Sequence, residues 1–299
     1  MRRSITLGAV VAVGALSVGV NGFQQLNPDA VDAAAIEQVK DNLYVITGSS
    51  TADRSLFSGG NVGVFVMDDG VAIVDTKLPG WGPVILERIR SVTDKPVVSI
   101  VNTHTHGDHV GSNEFFDAAR IVAHENTKAN MQRMDNFQGD NAQYLPAATY
   151  SDRMSLGSGA DQIDLYHFGA GHTDGDTFIV YPALGVLQTG DMFPWRDAPF
   201  LDTSNGGSGL AMPQTLAAAI AGIEGVDVVV PGHIPVTTWE SFQEFQRFNA
   251  DLVDAVRTAK GAGLSEDDAA TGVDLSSGYP HYDSTRLEAA VRVIYGELP

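Results

Sequence analysis

Thr103-His104-Thr105-His106-Gly107-Asp108-His109-Val110-Gly111 is the most informative segment of the chain. Within six positions lie His104, His106, Asp108 and His109, four side chains able to bind a divalent metal. The apolar run Val97 to Val101 leads into it and predicts a buried strand. Near-extended backbone sends His104 and His106 to the same side, spaced two apart. Gly107 is expected to permit a turn that a residue with a Cβ would resist, swinging Asp108 and His109 towards a second point nearby. A loop of this kind holds two metals close together.

The chain around it has 299 residues and is 43% hydrophobic, enough for one large domain or one domain with a helical appendage. Its formal net charge of −19 repels nucleic-acid phosphates, which argues against a nuclease; it suits a neutral or cationic small-molecule substrate, or serves only to keep the protein soluble. There is no cysteine, so no thiolate ligand and no disulfide, and an oxidising compartment poses no threat. The amino terminus points to such a compartment. Arg2-Arg3 precede an uncharged run from Ile5 to Val20, short for a membrane span and long enough for a signal-peptide core. Residues 1–22 therefore read as a signal peptide of an exported, periplasmic or secreted protein, or as an uncleaved anchor. Ala33-Ala34-Ala35 is a later cleavage candidate than Asn21-Gly22.

From Asn42 onward strands are predicted at 43–47, 61–67 and 71–75, the last two joined by the Asp68-Asp69-Gly70 turn. A carboxylate at Asp75, ending a buried strand, is costly unless paired. It either caps the turn or hydrogen-bonds a metal-binding histidine from behind. Helical spacing over Pro83 to Thr93 turns Leu86, Ile89 and Val92 inward. A helix is expected from Ser112 to Ala119, a strand at 120–124, and a helix from Glu125 to Met134. Asn136 to Tyr150 has little periodicity and reads as a substrate lid or a plain surface loop. Strands follow at 162–168, 177–181, 184–188 and 226–230, with a helix from Pro213 to Gly222. After Thr237 the pattern is helical, broken at Gly261–Gly263 and Gly278-Tyr279-Pro280.

His172, Asp191 and His233 each follow an apolar strand and sit beside glycine, as the first loop does. Side chains at the same end of successive strands converge on one rim of a sheet, where α/β folds put their sites. His104, His106 and His172 then form a nitrogen-rich site, and Asp108, His109 and His233 a second, with Asp191 bridging. Such ligands suit two zinc ions per chain, with manganese or iron tolerated. The remaining His124, His167 and His281 read as structural or exposed.

This order and spacing resembles the metallo-β-lactamase superfamily, over roughly residues 42–235. The resemblance implies an α/β fold, a four-layer αβ/βα sandwich of two sheets flanked by helices, with the dinuclear site at one edge. The corresponding domain would run from 36 to 235, and residues 236–299 resemble the C-terminal helical extension of many hydrolases of that superfamily. It also implies a zinc-dependent hydrolase acting on a carbonyl substrate through water shared by two ions, with Asp108 binding the second ion and orienting the nucleophile. The full ligand set is more like glyoxalase II, lactonases and their relatives than zinc β-lactamases of the cysteine-containing classes. Asp191 stands where those classes have cysteine, and Pro194 where some have a drug-gripping lysine. An ester, thioester, lactone or β-lactam is the expected substrate. The alternatives are a true β-lactamase, a phosphodiesterase or nuclease, and a non-catalytic metal-binding accessory protein. Asn136 to Tyr150, residues 193–196 and the 197–210 loop are expected to line the pocket. Phe193 and Trp195 are either rim aromatics or packing.

Overall fold

The computed structural model describes residues 26–49 and 53–299. The leader or anchor expected over residues 1–22 lies outside the described residues. Two sheets pack face to face. The first contains β1 (Ile36–Lys40), β2 (Leu43–Ile46), β3 (Val62–Val66), β4 (Val71–Val74), β5 (Val97–Val101), β6 (Arg120–His124) and β7 (Ala148–Tyr150), in that spatial order. Its first four strands form an antiparallel meander, and β4 to β7 run parallel. The second contains β8 (Arg153–Leu156), β9 (Ile163–Tyr166), β10 (Phe178–Tyr181), β11 (Val186–Gly190), β12 (Val228–Pro231) and β13 (Thr237–Thr238), and only β11 and β12 pair in parallel. The two halves therefore differ: the first sheet is half meander and half parallel crossovers, whereas the second is antiparallel except at β11 and β12.

The central strands of each sheet, β3 and β4 in the first and β10 to β12 in the second, are buried on both faces, which is why they read as nearly continuous apolar runs. In β3 to β6 the side chains alternate. Phe65, Val74, Val101 and Val122 point to the inter-sheet core, and Val64, Ile73, Ile100 and Ile121 point outward. Helices α1 (Pro28–Ala33) and α2 (Gly82–Arg90) cover that outer face through Ala30, Val84, Ile85 and Ile89. The buried phase of α2 is thus centred on Ile85 and Ile89, with Leu86 and Val92 only half-buried. Neither α1 nor β1 has a signal in the sequence reading. Ala34, in the later cleavage candidate, is buried, and its carbonyl accepts from the Arg88 guanidinium at 2.9 Å, so that tripeptide is part of the fold.

The expected helix from Ser112 shrinks to a single 3₁₀ turn, Asn113–Phe116, because Asn113 is drawn inward to hydrogen-bond Thr76 and Asn102. The loop itself closes as one helical turn, α3 (Gly107–Val110), followed later by α4 (Glu125–Met131). Residues 136–150 form two 3₁₀ turns and β7.

The outer face of the second sheet carries Phe178, Val180, Leu187 and Val229. It is covered by α5 (Met212–Gly222), α6 (Trp239–Gly261), α7 (Glu266–Gly272) and α8 (Leu287–Glu297). Phe242, Phe245, Phe248, Leu252 and Val256 of α6 join Val291 and Ile294 of α8 in that core. The C-terminal helices are therefore one layer of the sandwich. Among the described residues no helix is long and apolar enough to cross a membrane.

Candidate metal centre

The C-terminal ends of β4, β5, β9, β11 and β12 meet at one edge of the sandwich, and each delivers polar side chains there. Ligating atoms of His104, His106 and His172 lie within 4.8 Å of one another, as do those of His104, His109 and Asp191, and those of Asp108, His109 and His233. All seven residues singled out from sequence are brought together. Asp191 stands between the two groups. Its Oδ1 lies 3.3 Å from His109 Nε2 and 3.4 Å from His233 Nε2, while its Oδ2 lies 3.8 Å from His172 Nε2. Asp108 Oδ2 lies 3.4 Å from His233 Nε2, on the more open side of the cluster.

Each imidazole is held from behind by a partner that fixes which nitrogen faces the centre. His109 Nδ1 lies 2.7 Å from Asp75, His172 Nδ1 2.6 Å from the Phe200 carbonyl, and His106 Nε2 2.8 Å from Asp202. His233 Nδ1 lies 3.2 Å from the Ser49 carbonyl. For His104 the partner is the Thr103 hydroxyl at 2.9 Å, which itself donates to Asp75 at 2.7 Å and must therefore accept the His104 Nδ1–H. His104 Nε2 is left as a buried lone pair. Asp75 thus does the second of the two jobs its position allowed, and Thr103 and Asp202 are the site residues that sequence reading missed. Asp202 is 96 positions from His106 and carried no local signal.

Two glycines give the centre its room. A Cβ on Gly60 would land on the His109 ring, and one on Gly232 on the Asp191 carboxylate. Gly107 works otherwise than its neighbours suggested. A Cβ there meets nothing, and the residue simply opens a helical turn with His106 at its N-cap.

Charge is unbalanced at this edge. Burial disfavours a charged His109, yet the carboxylates of Asp191, Asp108 and Asp75 outweigh it and hold its pKa well above the ordinary value. For Asp191 burial is likewise overcome, and His233 and His109 hold it well below. Burial, then the neighbouring histidines, push His104 far down; burial and His106 bring His172 to about 4. His104 and His172 are thus held neutral, while the carboxylates draw a proton onto His109, so the cluster attracts positive charge. His104 Nε2 and Asp191 Oδ1 are buried without any hydrogen-bond partner. These orphaned atoms, and a donor set of nitrogen and oxygen only, fit divalent metal ions of the borderline kind.

The three remaining histidines are structural or peripheral. His124 and His167 stack at 3.9 Å and bond the carbonyls of Ser151 and Asp176, and His281 pairs with Glu244 at the surface. Lys77 was not anticipated. Fully buried behind the site, it donates to the carbonyls of Thr47 and Gly60 and to Ser58, and burial lowers its pKa to about 7.

A cavity of about 450 Å³ opens beside His233 between residues 195–201 and α8. The expected pocket residues therefore split. Trp195 and the start of the 197–210 loop line it, Phe193 is core against Phe245, and no residue of 136–150 is among its lining. Phe57, Trp195 and Phe200 ring the metal centre, each 5.7 to 5.9 Å from a histidine ring.

A cluster of three histidines beside one of two histidines and an aspartate, with Asp191 between them at the edge of an αβ/βα sandwich, is the arrangement of a metal-dependent hydrolase. Residues 56–233 match the model of the Metallo-beta-lactamase superfamily, and the chain belongs to that superfamily. The chain is 28% identical over 197 residues, 64% of its own length and 72% of the relative, to "Metallo-beta-lactamase type 2" of Elizabethkingia meningoseptica. Over 132 residues, 42% of this chain and 38% of the other, it is 30% identical to "2,4-dinitroanisole O-demethylase subunit alpha" of a Nocardioides species. Among solved structures, a metallo-beta-lactamase from Pontibacter korlensis superposes with TM-score 0.62 at 19% identity, covering 72% of this chain and 98% of that one. An inverting sec-alkylsulfatase from a Pseudomonas species superposes with TM-score 0.73 at 15% identity, covering 88% of this chain and 50% of the other. At these identities the likeness to the solved structures is one of fold.

Proposed function

We propose that this hydrolase is a dinuclear zinc enzyme that cleaves carbonyl substrates, namely esters, thioesters or lactones, with β-lactams as slow alternatives. One observation carries the reading: five imidazoles and two carboxylates converge, each imidazole is tied from behind, and two of the inward atoms have no other partner. His104, His106 and His172 would hold one ion, Asp108, His109 and His233 the other, and Asp191, with one oxygen towards each group, would bridge them. When bound, two zinc ions supply a Lewis acid and bring the pKa of water towards neutrality. The protein does the rest. Asp108, the most accessible of the cluster's carboxylates, accepts a hydrogen bond from the attacking water and orients it. The outer partners Asp75, Thr103, Asp202 and the Phe200 carbonyl hold the imidazoles so that little rearrangement accompanies the reaction. Phe57, Trp195 and Phe200 exclude bulk water from the mouth.

A true β-lactamase is the second reading, favoured by the relative that bears that name. Pro194 and the carboxylate at Asp191 weigh against it. Export to the periplasm or medium remains the proposal for the chain's location, consistent with the absence of cysteine. The test is the initial rate on a chromogenic ester, a thioester, a lactone and a cephalosporin with zinc-loaded protein, each with and without chelator. Turnover near the typical enzyme value of about 10 s⁻¹ on the cephalosporin alone would make it a β-lactamase. No chelator-sensitive turnover on any of them, in a protein that still binds two zinc ions, would remove the hydrolase of carbonyl compounds and leave an accessory protein or a phosphodiesterase.

A further inference from the structure

The cavity beside His233 has a wall that the metallo-hydrolase reading leaves unused. Along α8, Leu287, Val291 and Ile294 face the core, which turns Ala289 and Val293 towards the cavity, with Ala290 shared between core and wall and Arg286 just before the first turn. The spacing of 286, 289, 290 and 293 is one stripe of a helix. Two alanines at its centre leave space that larger side chains would close. Phe200, 49% exposed, and Leu201 and Ile234 form the facing side, continuous with the centre through His233 and Trp195.

The wall is fixed at both ends to the loops that follow Asp191. Glu297, at the end of α8, accepts from Ser208 Oγ at 2.7 Å and from the Leu210 N–H at 3.0 Å. At the other end, Arg286 N donates to Asp197 at 3.1 Å, and Asp283 N to the Arg196 carbonyl at 2.8 Å. Arg286 lays its guanidinium over the Trp195 ring at 3.9 Å. The double attachment fixes this wall relative to the loops that follow Asp191. The described lining carries two carboxylates, Asp197 and Asp283, and one guanidinium, so it gives an anionic arm no net attraction. Dispersion and burial are what it offers, and those suit hydrocarbon.

We propose that Ala289, Ala290 and Val293 of α8, opposite Phe200, Leu201 and Ile234, form the selectivity wall of the site and receive an uncharged, apolar acyl arm of the substrate. The proposal rests on the hydrolase reading above and narrows it to neutral esters or lactones with an aliphatic or aromatic acyl chain. Carboxylate-bearing β-lactams and glutathione thioesters are then poor substrates.

The test uses p-nitrophenyl acetate, butyrate, hexanoate and octanoate with the zinc-loaded full chain. Values of kcat/KM are expected to rise about fourfold per methylene that enters the groove, mainly through KM. Ala289→Phe fills the groove at an exposed position and is expected to lower the octanoate-to-acetate ratio roughly fifteenfold, the loss of about two buried methylenes. Glu288→Gln, on the solvent side of the same helix, is expected to keep the ratio. In parallel, calorimetry with methyl ketones of increasing chain length, on metal-free protein, reads the groove without turnover. A flat chain-length profile in active wild-type enzyme, or an unaltered profile in Ala289→Phe, overturns the proposal and leaves the hydrolase reading standing. No turnover on any of these esters or on the thioester and lactone of the test above, with ketone affinity still rising with length and falling in Ala289→Phe, sinks the carbonyl-hydrolase reading and upholds the groove. Absence of both overturns both.

Discussion

Replacing Asp75 by Asn changes one oxygen for one amide and reaches two metal ligands at once. Asp75 is buried, with a φ of +66°, a conformation that Asn tolerates better than other residues with a side chain, so the backbone is kept. Its Oδ1 accepts from Thr103 N at 2.8 Å, and an Asn oxygen can do the same. Its Oδ2 accepts from both the Thr103 hydroxyl and His109 Nδ1, each at 2.7 Å, and here the variant presents an N–H. His109 must then accept through Nδ1, which puts a proton on the Nε2 that faces the centre. The Thr103 hydroxyl must accept from the amide and turn its own hydrogen to His104 Nδ1, protonating His104 Nε2 as well. Loss of an orienting partner costs about 10- to 100-fold in metal affinity per ligand. Two reversed imidazoles give roughly 10² to 10⁴, or about 3 to 5 kcal/mol at 1.36 kcal/mol per decade. Competition with a chromophoric chelator, counting zinc equivalents, measures it, and thermal unfolding of the metal-free protein checks that the fold is intact. Two equivalents bound at wild-type affinity would refute the tautomer argument and make Asp75 a structural cap.

Asp108→Ala is expected to lose about 10²-fold or more in kcat, since it removes the group that orients water, while metal-free stability stays near wild type; a near-normal rate removes Asp108 from the mechanism. Gly60→Ala should push the His109 ring aside, abolish binding of the second zinc equivalent, and cost about 1 to 3 kcal/mol by overpacking, both readable from metal stoichiometry and denaturant midpoints. Burial pushes the Asp176 carboxyl up to about 8 against the opposing bonds from Thr173. Because the folded value lies above the unfolded value of 3.8, the folded state holds the extra proton, and stability is lost as pH rises from near 4 to about 8. Asp176→Asn has no such proton and should flatten that slope in the metal-free protein; equal slopes in the two would reject the assignment. A chain ending at residue 236 uncovers Phe178, Val180, Leu187 and Val229 and is expected to bind a hydrophobic dye and lose near-ultraviolet dichroism; a soluble, cooperatively folding truncation would make the tail dispensable.

The sequence by itself determined what is local. Strands β3 and β4 were legible because both of their faces are buried, which writes apolar runs of strand length, and β5 falls on its expected residues, 97–101. The seven ligands were legible because each lies shortly after such a run, four of them within the six positions from His104 to His109. What the sequence could not hold is anything set by a partner far along the chain. His106 is anchored by Asp202, 96 residues on, and the wall of the cavity is pinned to Asp197 from 89 residues away. Helix phase also depended on tertiary packing: α2 turns Ile85 rather than Leu86 and Val92 fully inward, and Asn113, drawn into a buried bond with Thr76, cut short the helix expected there. A Cβ at Gly107 would meet no neighbour, while Gly60 and Gly232 owe their place to side chains that approach them only in the folded chain. Periodicity and spacing are properties of neighbours, whereas tautomers, cavities and close approaches belong to surfaces that meet only after folding.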